Sequence, residues 1–159
     1  MWSRLPSPTN GRTLHKVQRR WYVDADTLGL GHILAAARVD VTYCGDSGER
    51  KKRARRLPPC EIQDTETPDE EWIPKVERAG MAIITRDRHI ETRTKEKRIV
   101  LECGARMFAI VTERKLHNWD MLEIVVHQWP AMEKAAEEPG PYIYAITRTT
   151  MHKIDLTSS

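Results

Sequence analysis

The chain is poor in the features that mark several protein classes. Its three cysteines, Cys44, Cys60 and Cys103, are odd in number and form no CxxC pair, which argues against a disulfide framework and against a zinc ribbon. They read as free thiols in a reducing, cytoplasmic setting. No apolar run approaches the ~18 residues that a membrane span needs. Positions 1–19 are basic and rich in Ser, Thr and Pro but lack the apolar middle of a secretory signal, so they read as a flexible tail rather than an export signal. There is no internal repeat, and compositional bias is confined to one basic run. The net charge of +3 and the pI near 8.8 are too mild to establish a nucleic-acid partner, and they do not oppose one.

What is present fits one soluble domain. A chain of 159 residues can bury roughly two-thirds of its unfolded surface in a single core, and 20–150 is the expected domain, with 151–159 as a C-terminal tail. Charge is unevenly distributed. From Arg50 to Arg56 every residue but Ala54 is Lys or Arg, and acids gather between Glu61 and Glu71. The basic run is either a solvated loop or a phosphate-binding patch, with Arg53 at its middle.

The most informative stretch is Met81 to Ile90, where Met81, Ala82, Ile83 and Ile84 give way to Thr85, Arg86, Asp87, Arg88 and His89. A short apolar run entered through Gly80 and left through charge suits a fully covered strand of a parallel sheet. Ligands of such sheets collect at the carboxyl ends of the strands, which is where Asp87 falls. Trp21, Tyr22 and Val23 run into Asp24, Ala25, Asp26 and Thr27 in the same way.

The remainder alternates. A helix is expected over 28–39 and a strand over 39–43. Thr67, Pro68 and Glu70 form a capping-box pattern for a second helix, in which Pro74 forces either a kink or a later start. Further expectations are a helix over 94–103 stopped by Gly104, a strand over 107–111, and a helix capped by Asn118 that Pro130 bends or ends. In that helix Met121, Leu122, Val125, Val126 and Trp129 should turn inward. Tyr142, Tyr144 and Ile146 alternate as a last strand, after which the chain frays. This is an α/β pattern, a three-layer α/β/α domain with a mostly parallel sheet.

Asp24, Asp69 and Asp87 are placed by independent signals, after strand one, at a helix start and after strand three. Gathered at one sheet edge they repel unless a cation separates them. An all-oxygen donor set favours Mg²⁺ or Mn²⁺ over zinc, and such an ion suits phosphodiester hydrolysis. Each acid also has a plainer role: Asp24 and Asp26 as helix caps, Asp69 as a partner of the helix dipole, Asp87 as a turn residue. Arg86, Arg88 and His89 could hold a substrate phosphate or simply be solvated charges. His32 reads as structural, and Asp46 and Asp64 as loop acids.

Val23 and Asp24, then Thr67 to Trp72, then Ile83 to Asp87, in this order, resemble a PIN-like nuclease domain, whose strand exit has the apolar-Thr-x-Asp form. Trp119 to Glu123 and Tyr142 to Arg148 resemble the compact branch related to toxins of the VapC type, so the resemblance spans about 20 to 148. It implies a Mg²⁺- or Mn²⁺-dependent endoribonuclease acting on an RNA substrate, with Asp24, Asp69 and Asp87 as catalytic, metal-holding acids. The superfamily commonly adds a Glu from a helix between the first two of these. No clean counterpart exists here, and Asp26 or Glu70 would stand in. In toxin relatives an antitoxin protein occludes the site, often with an arginine.

Two other readings compete. Asp24, Ala25, Asp26 and Thr27 nearly spell the DxDx(T/V) loop of haloacid-dehalogenase phosphatases, but Leu28 holds the Thr/Val position and Gly45-Asp46 precedes rather than follows the second motif. A non-catalytic domain could also bind nucleic acid or a partner through the basic run. Trp129 and Tyr142, if exposed, would suit a homodimer face.

Overall fold

The computed structural model describes residues 17–50, 57–112 and 114–158. In chain order its elements are β1 (Trp21–Val23), α1 (Leu28–Ala37), β2 (Val41–Tyr43), α2 (Asp69–Arg78), β3 (Ala82–Arg86), α3 (Thr94–Cys103), β4 (Arg106–Ile110), α4 (Asn118–Ala136), β5 (Tyr142–Ile146) and β6 (Met151–Lys153). Single 3-10 turns at Ala25–Thr27 and Ile90–Thr92 precede α1 and α3.

Successive side chains of a strand point to opposite faces, and the strands sort accordingly. Trp21, Val23, Ala82, Ile84, Phe108 and Ile110 enter one buried cluster, while Tyr22, Ile83, Met107, Ala109 and Ile143 enter another. Helices α1 and α4 cover the first cluster through residues such as Leu30, Leu34, Ile124, Val125 and Met132. Helices α2 and α3 cover the second through Trp72, Ile73, Val76, Ile99 and Val100. Two apolar faces demand two helical layers, which is why the strands read as unbroken apolar runs. The result is a three-layer α/β/α domain.

The sheet has the order β2-β1-β3-β4-β5-β6. All pairings are parallel except β5 with β6. Strand order reverses between β1 and β3, and such a switch point opens a crevice at the carboxyl ends. Asp24 leaves β1 there and Asp87 leaves β3. Gly31 lets α1 lie close to this end of the sheet, because a Cβ on it would stand 2.8 Å from that of Tyr43.

Several local expectations are corrected. Helix α2 begins at Asp69 with Pro68 as N-cap, and Thr67 instead donates its hydroxyl to the Asp64 carbonyl at 2.7 Å. Neither proline stops its helix. Pro74 and Pro130 deprive only the carbonyls of Glu70 and Val126, and both of those residues face solvent, where water can serve. Val126 is 59% exposed rather than inward, and Ile124, Gln128 and Met132 take the inner positions. His117, not Asn118, is the N-cap of α4, its backbone N–H donating to the Asp120 carboxylate at 3.0 Å.

The described C-terminal residues, 151–158, are not frayed. Met151–Lys153 is an antiparallel edge strand, and Ile154 and Leu156 pack against the second cluster. Three residues are too short a run to stand out from sequence pattern alone. Trp129 and Tyr142 do not form an exposed aromatic face. Tyr142 is buried, and Trp129 packs on Trp21 at 4.8 Å beneath the Arg38 guanidinium.

Candidate functional site

The site is built from strand ends. The Asp24 N–H donates to the Ile84 carbonyl at 3.0 Å, which ties the exit of β1 to β3. Its Oδ1 accepts from the Ala25 N–H at 2.6 Å, so the capping role expected as the plainer alternative is real. Its Oδ2 lies 3.2 Å from Thr85 Oγ1, and the same hydroxyl lies 3.2 Å and 3.4 Å from the oxygens of Asp26. One hydroxyl has one proton, so Thr85 can donate to only one of these carboxylates at a time.

Asp87 is held by its surroundings. Its N–H donates to the Ile110 carbonyl, its Oδ1 accepts from the His89 N–H at 2.8 Å, and its Oδ2 accepts from Arg93 Nε at 3.2 Å. Asp69, the first residue of α2, accepts from Trp72 Nε1 at 2.9 Å. Glu96 comes from the first turn of α3.

These elements close around one cavity of about 310 Å³. Asp24, Asp26, Asp69, Asp87 and Glu96 line it, together with Thr85, Arg86 and Arg93. The crowding is visible in their proton affinities. Desolvation raises Asp24, and the charge of Asp69 adds to it. Desolvation and then the charge of Asp24 push Asp26 up to about 7, although the residue keeps solvent-exposed surface. Glu96 is also pushed up to about 7, by desolvation first and then by Asp69 and Asp87. Two cations, Arg86 and Arg93, are too few to neutralise five carboxylates, and Thr85 adds a hydrogen bond but no charge.

Among the described residues no three His, Cys, Asp or Glu side chains are assembled as a ready metal site. The donor chemistry nevertheless fits a hard divalent cation. All the acids offer oxygen, none is a soft ligand, and their mutual repulsion is what such a charge relieves. Arg93 at present occupies one oxygen of Asp87 and the Ala25 N–H one of Asp24, so the donors would have to reorganise around an ion.

Of the residues singled out from sequence, Asp24, Asp26, Asp69, Asp87 and Arg86 share the cavity. Glu70 lies outside it, exposed and paired with Lys95 at 2.8 Å. Arg88 and His89 are exposed, 2.9 Å from each other, and do not line it. Arg53 lies outside the described residues. Glu96 and Arg93 were not foreseen. The signal for Glu96 was an acid in the first turn of the helix after the Asp87 strand, hidden in the polar run Thr94 to Arg98.

Among the described residues no helix is long and apolar enough to cross a membrane. No curated protein and no solved structure matches the chain significantly. A family model described as "PIN like domain" matches residues 48–112, a span that holds Asp69, Asp87 and Glu96 and stops short of Asp24 and Asp26. The matched span is 65 of the chain's 159 residues, and over that stretch the chain is similar to a PIN-like domain.

Proposed function

We propose that the chain is a divalent-metal-dependent endoribonuclease whose site is the acid-lined cavity between β1, β3, α2 and α3. The observation that carries this reading is the convergence of five carboxylates on one cavity at the switch point of the sheet. Asp24, Asp69, Asp87 and Glu96 would hold Mg²⁺ or Mn²⁺, with Asp26 beside them. When bound, such an ion supplies Lewis-acid polarisation of a phosphodiester. Thr85 orients Asp24 and Asp26, and Arg86 and Arg93 offer the positive charge that meets a substrate phosphate.

The toxin role belongs to the same proposal. In it an arginine offered by an antitoxin would compete with Arg93, which already pairs with Asp87 at 3.2 Å. The phosphatase alternative gains nothing comparable. Asp46, the acid nearest to its later motif, is fully buried against Arg50 and does not line the cavity.

The test is cleavage of single-stranded RNA with Mn²⁺ at low salt, comparing the natural chain with Asp87→Asn after circular dichroism has established that both are folded. Activity falling to background in the variant is expected. No cleavage of any RNA or single-stranded DNA by the natural chain would sink the reading, and aspartyl-phosphate on Asp24 would favour the phosphatase.

A further inference from the structure

A second and larger cavity, of about 880 Å³, opens along the same carboxyl edge of the sheet. Residues 111–112 and 114–117, between β4 and α4, and the turn after β5 line it. Val111, Leu116 and Ile124 give it apolar walls, and Arg114, Lys115 and Arg148 line it as well. These three cations have no ion pair among the described residues. Two acids share the cavity, Asp120 and Glu123, and the Asp120 carboxylate is engaged by the His117 N–H.

Strand register ties this cavity to the acid cluster. Arg86, Ile110 and Ile146 stand in one row across β3, β4 and β5. Asp87, Val111 and Thr147 therefore leave the sheet side by side, and at the usual strand spacing the row spans about 10 Å. A chain lying along the row passes from the acids to the cations without a turn.

We propose that this cavity seats the nucleotides flanking the scissile phosphate of a single-stranded nucleic acid, Arg114, Lys115 and Arg148 holding its backbone and the apolar walls receiving a base. Positive grooves with apolar or aromatic platforms are how single strands are held without strict sequence preference. The proposal rests on the nuclease reading for what happens in the neighbouring acid cavity. An acidic protein segment is the other occupant three cations would attract, and the row shared with Asp87 favours the nucleic acid, because one strand can span both cavities.

The experiment uses the full chain in EDTA, with a fluorescein-labelled 12-nucleotide single-stranded RNA and its DNA counterpart, and reads anisotropy across a salt series. Lys115 and Arg148 are exposed, so the double variant Lys115→Ala/Arg148→Ala should melt like the natural chain. It is expected to bind about tenfold more weakly at low salt, with the salt slope reduced by about 0.7 for each lost phosphate contact. A larger loss on RNA would identify RNA as the ligand, and an equal loss would identify the backbone alone as what is held. Unchanged affinity and slope in the variant overturn the proposal, as does absence of binding by the natural chain. So does a variant that loses an oligoglutamate peptide while keeping the nucleic acid. If the natural chain binds through these cations yet cleaves nothing with Mn²⁺, the nuclease reading falls and this proposal stands.

Discussion

Thr85 is buried at the end of β3, and its hydroxyl is shared between Asp24 and Asp26. Removing it leaves both carboxylates less well oriented. Thr85→Val should lower Mn²⁺-dependent cleavage by about 10–100-fold, the usual range for losing a group that positions metal-holding residues, whereas Thr85→Ser should retain most activity; Mn²⁺ titrations of cleavage rate measure both. Asp46 offers a contrast, because its role is structural. It is fully buried, accepts from Thr42 Oγ1 and the Gly48 N–H at 2.8 Å each, and is bridged by both terminal nitrogens of Arg50. Burial alone would raise its carboxyl, but Arg50 and these donors outweigh that and hold it below the usual range. Asp46→Ala should strand Arg50 and cost about 3–5 kcal/mol, read by urea denaturation; a change within experimental scatter would refute this role. At this scale the sequence exposed acids whose place follows from local signals, such as Asp24 and Asp87 at strand exits and Asp69 at a helix start. It concealed Asp46, one of whose cationic neighbours, Arg19 at 3.7 Å, is distant in the chain. Glu96 was hidden because the face that α3 presents to the cavity is decided by how α3 packs beside α2.

Among the elements, α3 was legible to the residue, because a periodic run met a glycine stop. Gly104 has φ of +77° with nothing near its missing Cβ, so Gly104→Ala should cost only the left-handed backbone strain, about 1–2 kcal/mol. That corresponds to a loss of roughly 2–4 °C in Tm per kcal/mol for a chain of this size. Gly31→Ala tests a different term. Its new Cβ would meet Tyr43 Cβ at 2.8 Å and Val23 Cβ at 3.3 Å, and overpacking of about 1–3 kcal/mol should exceed the ~1 kcal/mol that alanine gains in helix propensity. A calorimetric Tm above that of the natural chain would show that α1 can shift. Elements whose limits depend on partners elsewhere were the hard ones. Each proline is compatible in sequence with a bend or a break, and the helices continue through both because the carbonyls they orphan face water, which sequence does not show; Val126 reads as inward because an apolar residue does not announce its face. Strand β6 exists only because β5 offers it an edge.

For the molecule as a whole, the acid cavity sets a pH dependence. Asp26 and Glu96 ordinarily titrate near 3.8 and 4.5 and are pushed up to about 7 in the fold. Between those limits the folded state binds more protons than the unfolded one, so the contribution of these groups is fully present below about pH 4 and is lost as pH rises through about 7. Metal-free protein should therefore melt higher at pH 5.5 than at pH 8. The difference should shrink in Glu96→Gln and on adding Mg²⁺, and a profile unchanged by either would contradict the crowding described above. The alternation of strands and helices made the layered architecture and the position of β1 and β3 readable in advance, whereas the strand order that brings Asp24 beside Thr85 is a property of the assembled sheet. One end of that sheet has a bearing on self-association. Beyond β5 the sheet continues for only three residues, which run the opposite way and display His152 and Lys153 to solvent. Short charged edges of this kind deter another strand from docking. The outer rim of β6 thus works as a terminator, making the sheet hard to propagate from copy to copy at that end and steering any pairing of the chain with itself toward its helices and loops.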